Sequence, residues 1–547
     1  MLGPVAAGLA GTVAPALGYF PAIGAERLSL APFEALFGWG GIWRATFLSL
    51  TTGIGTTLVS LGLVVLIVAG WSGTRAFVAL RTVLSPLLSV PHAAAAFGLA
   101  FLIAPSGWIV RALSPWATGW ERPPDLLIVQ DPYGLALMAG LIVKEVPFLL
   151  LMTLAALGQS NGARAVTVAQ TLGYGRVRGW LLTVFPQIYA QIRLPVYVVL
   201  AYAMSVVDVA IVLGPNTPPT LSVQIVRWMA DPDLSMRLVA AAGALWQAVL
   251  VLGAILLWRV GEVAAAALGR RWVNAGARGW GEGVLRQAGL WGGMVVVAAV
   301  ALGLASLAVW SVAGAWRFPE VWPEGLTGRS WMRHGSEVAM TAWETAVIAG
   351  VAVLIALVLT VGCLEAEHRY RLRMSGRALT ILYLPLIVPQ VAFLPGLQTL
   401  MLMGGLKSGL WAVVVAHVVF VLPYVFLSLG DPYRAWDPRY ATVAAALGAG
   451  RERILWRVRL PMLLAPVLTA LAVGLAVSVG QYLPTLLIGG GRVQTLTTEA
   501  VALASGGDRR AIGVYGLAQT AAALLPFAAA VLIPALVWRN RRGLAHG

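Results

Sequence analysis

Long stretches without a single Asp, Glu, Lys or Arg recur along this 547-residue chain. A helix that crosses a bilayer needs about 20 mainly apolar residues. The uncharged stretches of that length are 1–25, 45–74, 82–110, 238–258, 287–316, 345–364, 378–406, 408–430, 460–491 and 511–538. Two more candidates contain isolated charges, 132–158 with Lys144 and Glu145, and 194–213 with Asp208. The sequence therefore predicts an all-α polytopic membrane protein with about twelve transmembrane helices.

The charged residues are few and unevenly placed. They make up 11% of the chain, against about 25% in soluble domains. When successive loops are assigned to alternate sides, one side contains 24 Lys and Arg against 7 Asp and Glu. We call it the basic side; its loops are 71–81, 159–193, 259–286, 364–377, 431–459 and 539–547. The positive-inside rule assigns this side to the cytoplasm, so the net charge of +16 reflects membrane topology and gives no support to nucleic-acid binding. We expect a multi-pass membrane protein. Segment 1–25 is expected to be a retained first helix, because the first Arg is Arg27 and a signal peptide needs a basic region before its apolar one.

Two loops on the basic side repeat each other. Residues 167–186 read TVAQTLGYGRVRGWLLTVFP, and residues 442–461 read TVAAALGAGRERILWRVRLP. At the shared offset of 275, several positions are identical. They are Arg164/Arg439, Thr167/Thr442, Ala169/Ala444, Leu172/Leu447, Gly173/Gly448, Gly175/Gly450, Arg176/Arg451, Arg178/Arg453 and Pro186/Pro461. We therefore predict two six-helix halves, 1–258 and 287–547, joined by a linker at 259–286. Six is an even number, so the halves have the same orientation and are related by a pseudo-two-fold axis along the membrane normal.

Each repeated loop has a helix–glycine–helix pattern. Gly173 and Gly448 stand where a left-handed residue would end a short helix. The stretch 176–184 is predicted to be an amphipathic helix at the membrane interface, ended by Pro186. A single loop of this kind could be an ordinary basic loop, but two copies with the same spacing favour a shared function.

The loops resemble the signature loop of permeases from binding-protein-dependent ATP-binding-cassette (ABC) importers. In that family a Glu-Ala-Ala triplet precedes a Gly, and a Pro follows that Gly by thirteen residues. Gly173 to Pro186 and Gly448 to Pro461 have this spacing, whereas Thr167 and Thr442 replace the Glu. The run 481–510 is similar to fused permeases of the thiamine and iron(III) type. The resemblance implies the type I importer fold and makes the two loops the ATPase-coupling sites. The residues concerned are Arg164, Thr167, Ala169, Leu172, Gly173, Pro186, Arg439, Thr442, Ala444, Leu447, Gly448 and Pro461.

The resemblance also implies a bacterial plasma (inner) membrane location and a set of partners. Two copies of a cassette ATPase would dock on the basic side, and a periplasmic or extracellular binding protein would deliver the solute. The chain contains no GxxxxGK[ST] motif, so ATP and Mg are expected on the separate ATPase, and this chain is not expected to be an enzyme. No catalytic triad or metal-ligand spacing is present, and no cofactor is expected on this chain. Thiamine is the substrate that the resemblance suggests first; iron(III), polyamines and other small solutes stay open.

Polar residues inside predicted helices are candidates for the substrate pathway. Lys144, Glu145, Asp208 and Gln481 belong to this group, because charges in a membrane usually face a bundle interior or a water-filled cavity. The alternative is structural bonding between helices, or a Lys that reaches the interface. His417 is isolated, which favours a packed role. A second function class, an ion- or proton-coupled secondary transporter, also fits twelve helices in two parallel halves.

Overall fold

The computed structural model describes residues 2–159, 162–276, 278, 281–372 and 374–539. Within these ranges the regular structure is helical, apart from two isolated β-bridges, Phe20 with Ala25 and Ala313 with Leu326. The all-α prediction is therefore confirmed.

The helices are numbered in chain order. Those up to residue 274 are α1 (Leu2–Ala16), α2 (Ala31–Gly38), α3 (Ile42–Trp71), α4 (Arg75–Leu87), α5 (His92–Ile103), α6 (Trp108–Leu113), α7 (Leu135–Gly158), α8 (Gly162–Thr171), α9 (Arg176–Thr183), α10 (Phe185–Ser205), α11 (Asp208–Leu213), α12 (Leu221–Met229) and α13 (Met236–Asn274). The later helices are α14 (Glu282–Val312), α15 (Arg329–Tyr370), α16 (Gly376–Ile387), α17 (Gln390–Met403), α18 (Leu410–Arg434), α19 (Arg439–Ala446), α20 (Arg451–Ile454), α21 (Leu460–Met462), α22 (Leu464–Val479), α23 (Leu483–Gly489), α24 (Leu496–Leu503) and α25 (Arg509–Val537).

The described part of the chain contains nine helical segments long and apolar enough to cross a membrane, or eleven if two bent pairs are each counted as one span. One bent pair is α16 with α17, which meet at 91°. Pro389 stands at that bend, and Pro91 stands at the matching break between α4 and α5. A proline lacks the N–H that a continuous helix needs, so both helices are interrupted there.

The predicted segment 1–25 contains α1, whose 15 residues extend only about 22 Å. This length is short of the ~30 Å hydrocarbon core.

The sequence repeat is also a repeat of helix starts. Four pairs of helices begin 275 residues apart: α7 and α18, α9 and α20, α11 and α23, and α12 and α24. The division into halves at 258 and 287 stays a prediction. Much of the predicted linker is helical, because α13 continues to Asn274 and α14 already begins at Glu282.

The first helix of each predicted half packs on the other half. The helix α1 lies against α17, and α14 lies against α5. Both crossings bring backbones close at glycines: Gly396 meets Gly8 and Gly11 in one, and Gly98 meets Gly303 in the other. The largest apolar cluster accordingly combines side chains from both sequence halves, so the two halves interlock around a common core.

Candidate functional site

The two repeated loops have the same backbone geometry. Gly173 has φ +84° and Gly448 has φ +81°, so the predicted left-handed glycines are confirmed. In the first loop the N–H of Tyr174 donates to the carbonyl of Ala169 at 3.1 Å, and in the second loop the N–H of Ala449 donates to that of Ala444 at 3.0 Å. This Schellman bond ends α8 and α19 at the glycine.

Both loops present apolar side chains to the outside. Leu172 is 60% exposed and Leu447 is 83% exposed. One helical turn earlier, Val168 is 54% exposed and Val443 is 60% exposed. Residues four apart share a helix face, so each loop carries an exposed Val–Leu pair at its tip. Val168 and Val443 were missed as site residues, although their spacing to the leucines was visible in both copies.

The other predicted loop residues fall into two groups. Exposed are Arg164, Thr167, Arg439, Thr442, Pro186 and Pro461. Ala169 is buried and Ala444 is half-buried, because they face the helix that follows each glycine. Pro186 lies in the first turn of α10 and Pro461 in the first turn of α21, so each proline begins the next helix.

The helix after the glycine differs between the loops. Trp180 is buried at 2% exposure, whereas Trp456 is 64% exposed. The predicted interfacial position is therefore wrong for Trp180, which packs in an apolar cluster beside α3. The second loop has only the four residues of α20 before a π-helical turn over Leu455–Arg459.

Each loop is bonded to the preceding long helix of its own half. Arg176 donates from Nε to the carbonyl of Ala69 at 3.3 Å and from Nη2 to that of Ser72, at the end of α3. Burial and the neighbouring Arg286 lower the pKa of Arg176. In the second loop, Nη2 of Arg369 at the end of α15 lies 2.8 Å from Oε1 of Glu452.

Arg459 belongs to the second repeated loop, but its charged side chain is buried. It is 2% exposed and donates to the carboxylate of Glu365 and to Oη of Tyr433. Its guanidinium also lies 4.4 Å from the ring centroid of Trp436. A buried Arg needs such partners, and sequence position alone does not reveal them.

Lys144 is bonded inside the first half. Its Nζ donates to the carbonyls of Leu87, Leu88 and Val90 at 3.1, 3.2 and 2.5 Å. These carbonyls lie at the end of α4 and in the short link to α5, where the regular helical hydrogen bonds stop. The contacts favour a structural role for Lys144 over substrate contact.

Glu145 and Asp208 are both close enough to His92 for their charges to be affected by it. Oε1 of Glu145 lies 3.7 Å from Nε2 of His92, and Asp208 interacts electrostatically with the same His. The carboxylate residues are 5% and 7% exposed, but the His92 side chain is 36% exposed. Both acids stand beside interruptions of membrane helices, at the break before α5 and at the start of α11. Broken helices with ionisable groups characterise binding sites in transporters.

Tyrosines from both halves complete this group. Tyr202 of α10 packs on His92 with ring centroids 5.0 Å apart, and it interacts electrostatically with both acids. From the second half, Tyr424 lies within electrostatic range of Glu145, and Tyr482 lies within that of Asp208. We call Glu145, Asp208, His92, Tyr202, Tyr424 and Tyr482 the carboxylate–tyrosine cluster. The tyrosines were missed because their meeting depends on helices distant in sequence.

Gln481 and His417 are two further polar residues of the second half. Gln481 is half-buried in the joint between α22 and α23, next to Tyr482. Asp208 instead is the first residue of α11. His417 is buried between the hydroxyls of Ser478 and Thr485, at 2.7 and 2.9 Å. This contact confirms that His417 is packed.

The sequence is similar to known proteins. Residues 360–538 match the family described as "Binding-protein-dependent transport system inner membrane component". This segment includes the second repeated loop and the helices on either side of it.

Three relatives extend the comparison. The chain is 31% identical over 538 residues to the inner membrane ABC transporter permease protein YnjC of Escherichia coli (strain K12), covering 96% of each chain. It is 26% identical to the spermidine/putrescine transport system permease protein PotC of Haemophilus influenzae, over 32% of this chain and 64% of that protein. It is 35% identical to the molybdenum transport system permease protein ModB of Mycobacterium tuberculosis, over 23% of this chain and 52% of that protein. These matches favour an importer over a secondary transporter. The full-length similarity to an ABC permease and the matched family segment together show that this chain belongs to the permeases of binding-protein-dependent ABC importers.

Proposed function

We propose that the chain forms the substrate pathway of the importer and receives the ATPase-driven movement through its two repeated loops. The observation that carries this proposal is the exposed Val–Leu pair at each loop tip, Val168 with Leu172 and Val443 with Leu447. Two such pairs, exposed at matching positions of the two repeated loops on the basic side, suit the docking of a partner protein. The shared Schellman geometry gives both pairs the same presentation, which suits a partner with two-fold symmetry.

The proposed partners follow from that arrangement. Two copies of a cassette ATPase would dock, one on each loop, and they would hold ATP and Mg. This chain is the non-enzymatic membrane component. A binding protein would deliver the solute on the opposite side of a bacterial inner membrane.

We further propose that the transported solute is a cation, with thiamine as the first candidate. The carboxylate–tyrosine cluster supports this choice, since two buried carboxylates favour a positive ligand and tyrosine faces attract cations. Among the relatives, one is named for spermidine and putrescine and another for molybdenum. The carboxylates of the cluster would suit spermidine and putrescine, which are cations.

Leu172→Asp and Leu447→Asp test the docking role. Burial of a leucine contributes about 1.5–3 kcal/mol, so each single variant should bind the ATPase ~10-fold or more weakly. The double variant should lose ATPase on co-purification, whereas wild type retains two copies per chain. Leu127→Asp is the matched control, since Leu127 is 68% exposed outside both loops. Undiminished binding by the double variant would show that the loops are not the docking site.

Uptake assays test the cargo. Cells that express the complete importer are given labelled thiamine, spermidine or molybdate. We expect uptake of a cation, reduced at least about tenfold by Glu145→Gln or Asp208→Asn because each removes a buried negative charge. Glu26→Gln, at an exposed position, should leave uptake unchanged. Uptake of molybdate alone would contradict a cationic solute.

A further inference from the structure

Glu282 links the first coupling loop to the second half. It is the first residue of α14, and its carboxylate accepts the N–H of Val177 at 3.2 Å and that of Arg178 at 3.1 Å. These are the second and third residues of α9. Their N–H groups are normally capped by the side chain of the residue that precedes the helix. That residue is Gly175, which has no side chain, so Glu282 supplies the cap from a distant part of the chain.

The absence of a side chain at Gly175 leaves space for this carboxylate. A Cβ at position 175 would lie 2.2 Å from Cδ of Glu282, far inside van der Waals contact. The φ of Gly175 is −68°, a value that any residue adopts. The backbone conformation at position 175 therefore does not require glycine. The close approach of the Glu282 carboxylate does require it, because a Cβ would occupy the same space. The carboxylate also lies at the N-terminal ends of both α9 and α14, where helix dipoles stabilise negative charge.

Neighbouring contacts extend the bonded unit. The guanidinium of Arg278 lies 4.3 Å from the ring centroid of Tyr174, beside the left-handed glycine. Nη1 of Arg178 donates to the carbonyl of Arg278 at 3.0 Å. Nε1 of Trp71 donates to the carbonyl of Arg286 at 2.7 Å. The first loop, the end of α3 and the start of α14 are thus joined by several independent contacts.

The second loop is held differently. Its helix α20 is also preceded by a glycine, Gly450, but a Cβ there would meet nothing within 4 Å. Glu452 instead pairs with Arg369 of α15, a helix of the same half. Both loops are therefore bonded to the long helix that precedes them in their own half, and the first loop is also bonded to α14 through Glu282.

We propose that Glu282 is a positioning residue that makes the first coupling loop move together with α14. The proposal rests on the coupling function proposed above. Since α14 packs on α3 and α5 of the first half and on α25 of the second, movement of the first loop would reach both halves. Movement of the second loop would pass to its own half through α15.

Hydrogen–deuterium exchange on the full chain with its ATPase tests this. Peptides that cover 171–184 and 282–292 are followed with and without MgATP and vanadate. In wild type both peptides should change together. In Glu282→Ala and in Gly175→Ala, the loop peptide should still respond, while the response of 282–292 should fall at least twofold. Gly450→Ala is the matched control and should behave as wild type.

The outcomes are distinguishable. A wild-type response of 282–292 in both variants, or its absence in wild type, would overturn the role of Glu282. Loss of the ATPase from both variants but not from Gly450→Ala would also overturn it, because Glu282 would then serve docking rather than transmission. Failure of the ATPase to bind wild type would overturn the coupling function itself.

Discussion

Gly98 of α5 and Gly303 of α14 meet backbone to backbone. A Cβ on Gly98 would lie 2.7 Å from the carbonyl carbon of Gly303, and a Cβ on Gly303 would lie 3.0 Å from that of Gly98. Small residues allow membrane helices to approach this closely, and the resulting packing holds such helices together. The contact joins the two halves within two of the candidate membrane spans.

Gly303→Leu should separate this crossing. Overpacking of a tight contact costs typically 1–3 kcal/mol, and here the neighbour is backbone that cannot rotate away. We expect a lower melting temperature of the purified chain in detergent. Gly350→Leu is the control, because a Cβ at Gly350 in α15 meets nothing within 4 Å. Equal melting temperatures for the two variants would show that the crossing is loosely packed.

Lys144→Met should lower stability rather than act on transport alone. The change leaves three carbonyls at the end of α4 without their charged donor, and hydrogen bonds to charged groups contribute about 1.5–3 kcal/mol. We expect a reduced melting temperature and more proteolysis near residues 87–90. Lys407→Met, at an exposed position, provides the comparison. A stable Lys144→Met variant that fails only in uptake would return Lys144 to the pathway.

Gly448→Ala should strain the second repeated loop, whereas Gly450→Ala should not. Gly448 has φ +81°, where a Cβ costs about 1 kcal/mol or more, and Gly450 has φ −70°. Neither position is crowded, so backbone conformation alone separates the two variants. ATPase affinity, measured by titration of the purified chain, should fall for the first and stay constant for the second. The reverse order would contradict the left-handed geometry.

Thr495→Ala should destabilise α24 more than Thr220→Ala destabilises α12. Thr495 forms a capping box with Thr498, while the equivalent Thr220 makes no side-chain cap bond. Loss of such a cap costs roughly 0.5–2 kcal/mol. Hydrogen exchange of the first turn of each helix would measure the difference, and equal exchange in both variants would argue against the capping box.

Local patterns in the sequence predicted the features that depend on neighbouring residues. The left-handed Gly173 and Gly448 followed from their place after a short helix, since only glycine adopts that conformation at low cost. The offset of 275 predicted paired loops, and the helices begin in that register because each half folds from equivalent segments.

Features that depend on distant residues were not predictable in the same way. Trp180 and Trp456 stand in similar amphipathic stretches, but α14 packs against α9 and helps to enclose the first loop. The backbone carbonyls that accept from Lys144 lie more than 50 residues away in sequence. Hydropathy carries no information on such pairings. The tyrosines of the carboxylate–tyrosine cluster likewise meet only through the packing of helices from both halves.

The exchange of first helices between the halves bears on how the molecule assembles. Each half completes its packing surface with a helix that belongs to the other, so pairing is part of folding rather than a later step. Two parts on one chain encounter each other at millimolar effective concentration, whatever the abundance of the protein in the cell. A fused chain can therefore keep the half that contains Glu145 and Asp208 beside the half that contains Tyr424 and Tyr482, without the risk that two identical halves pair instead.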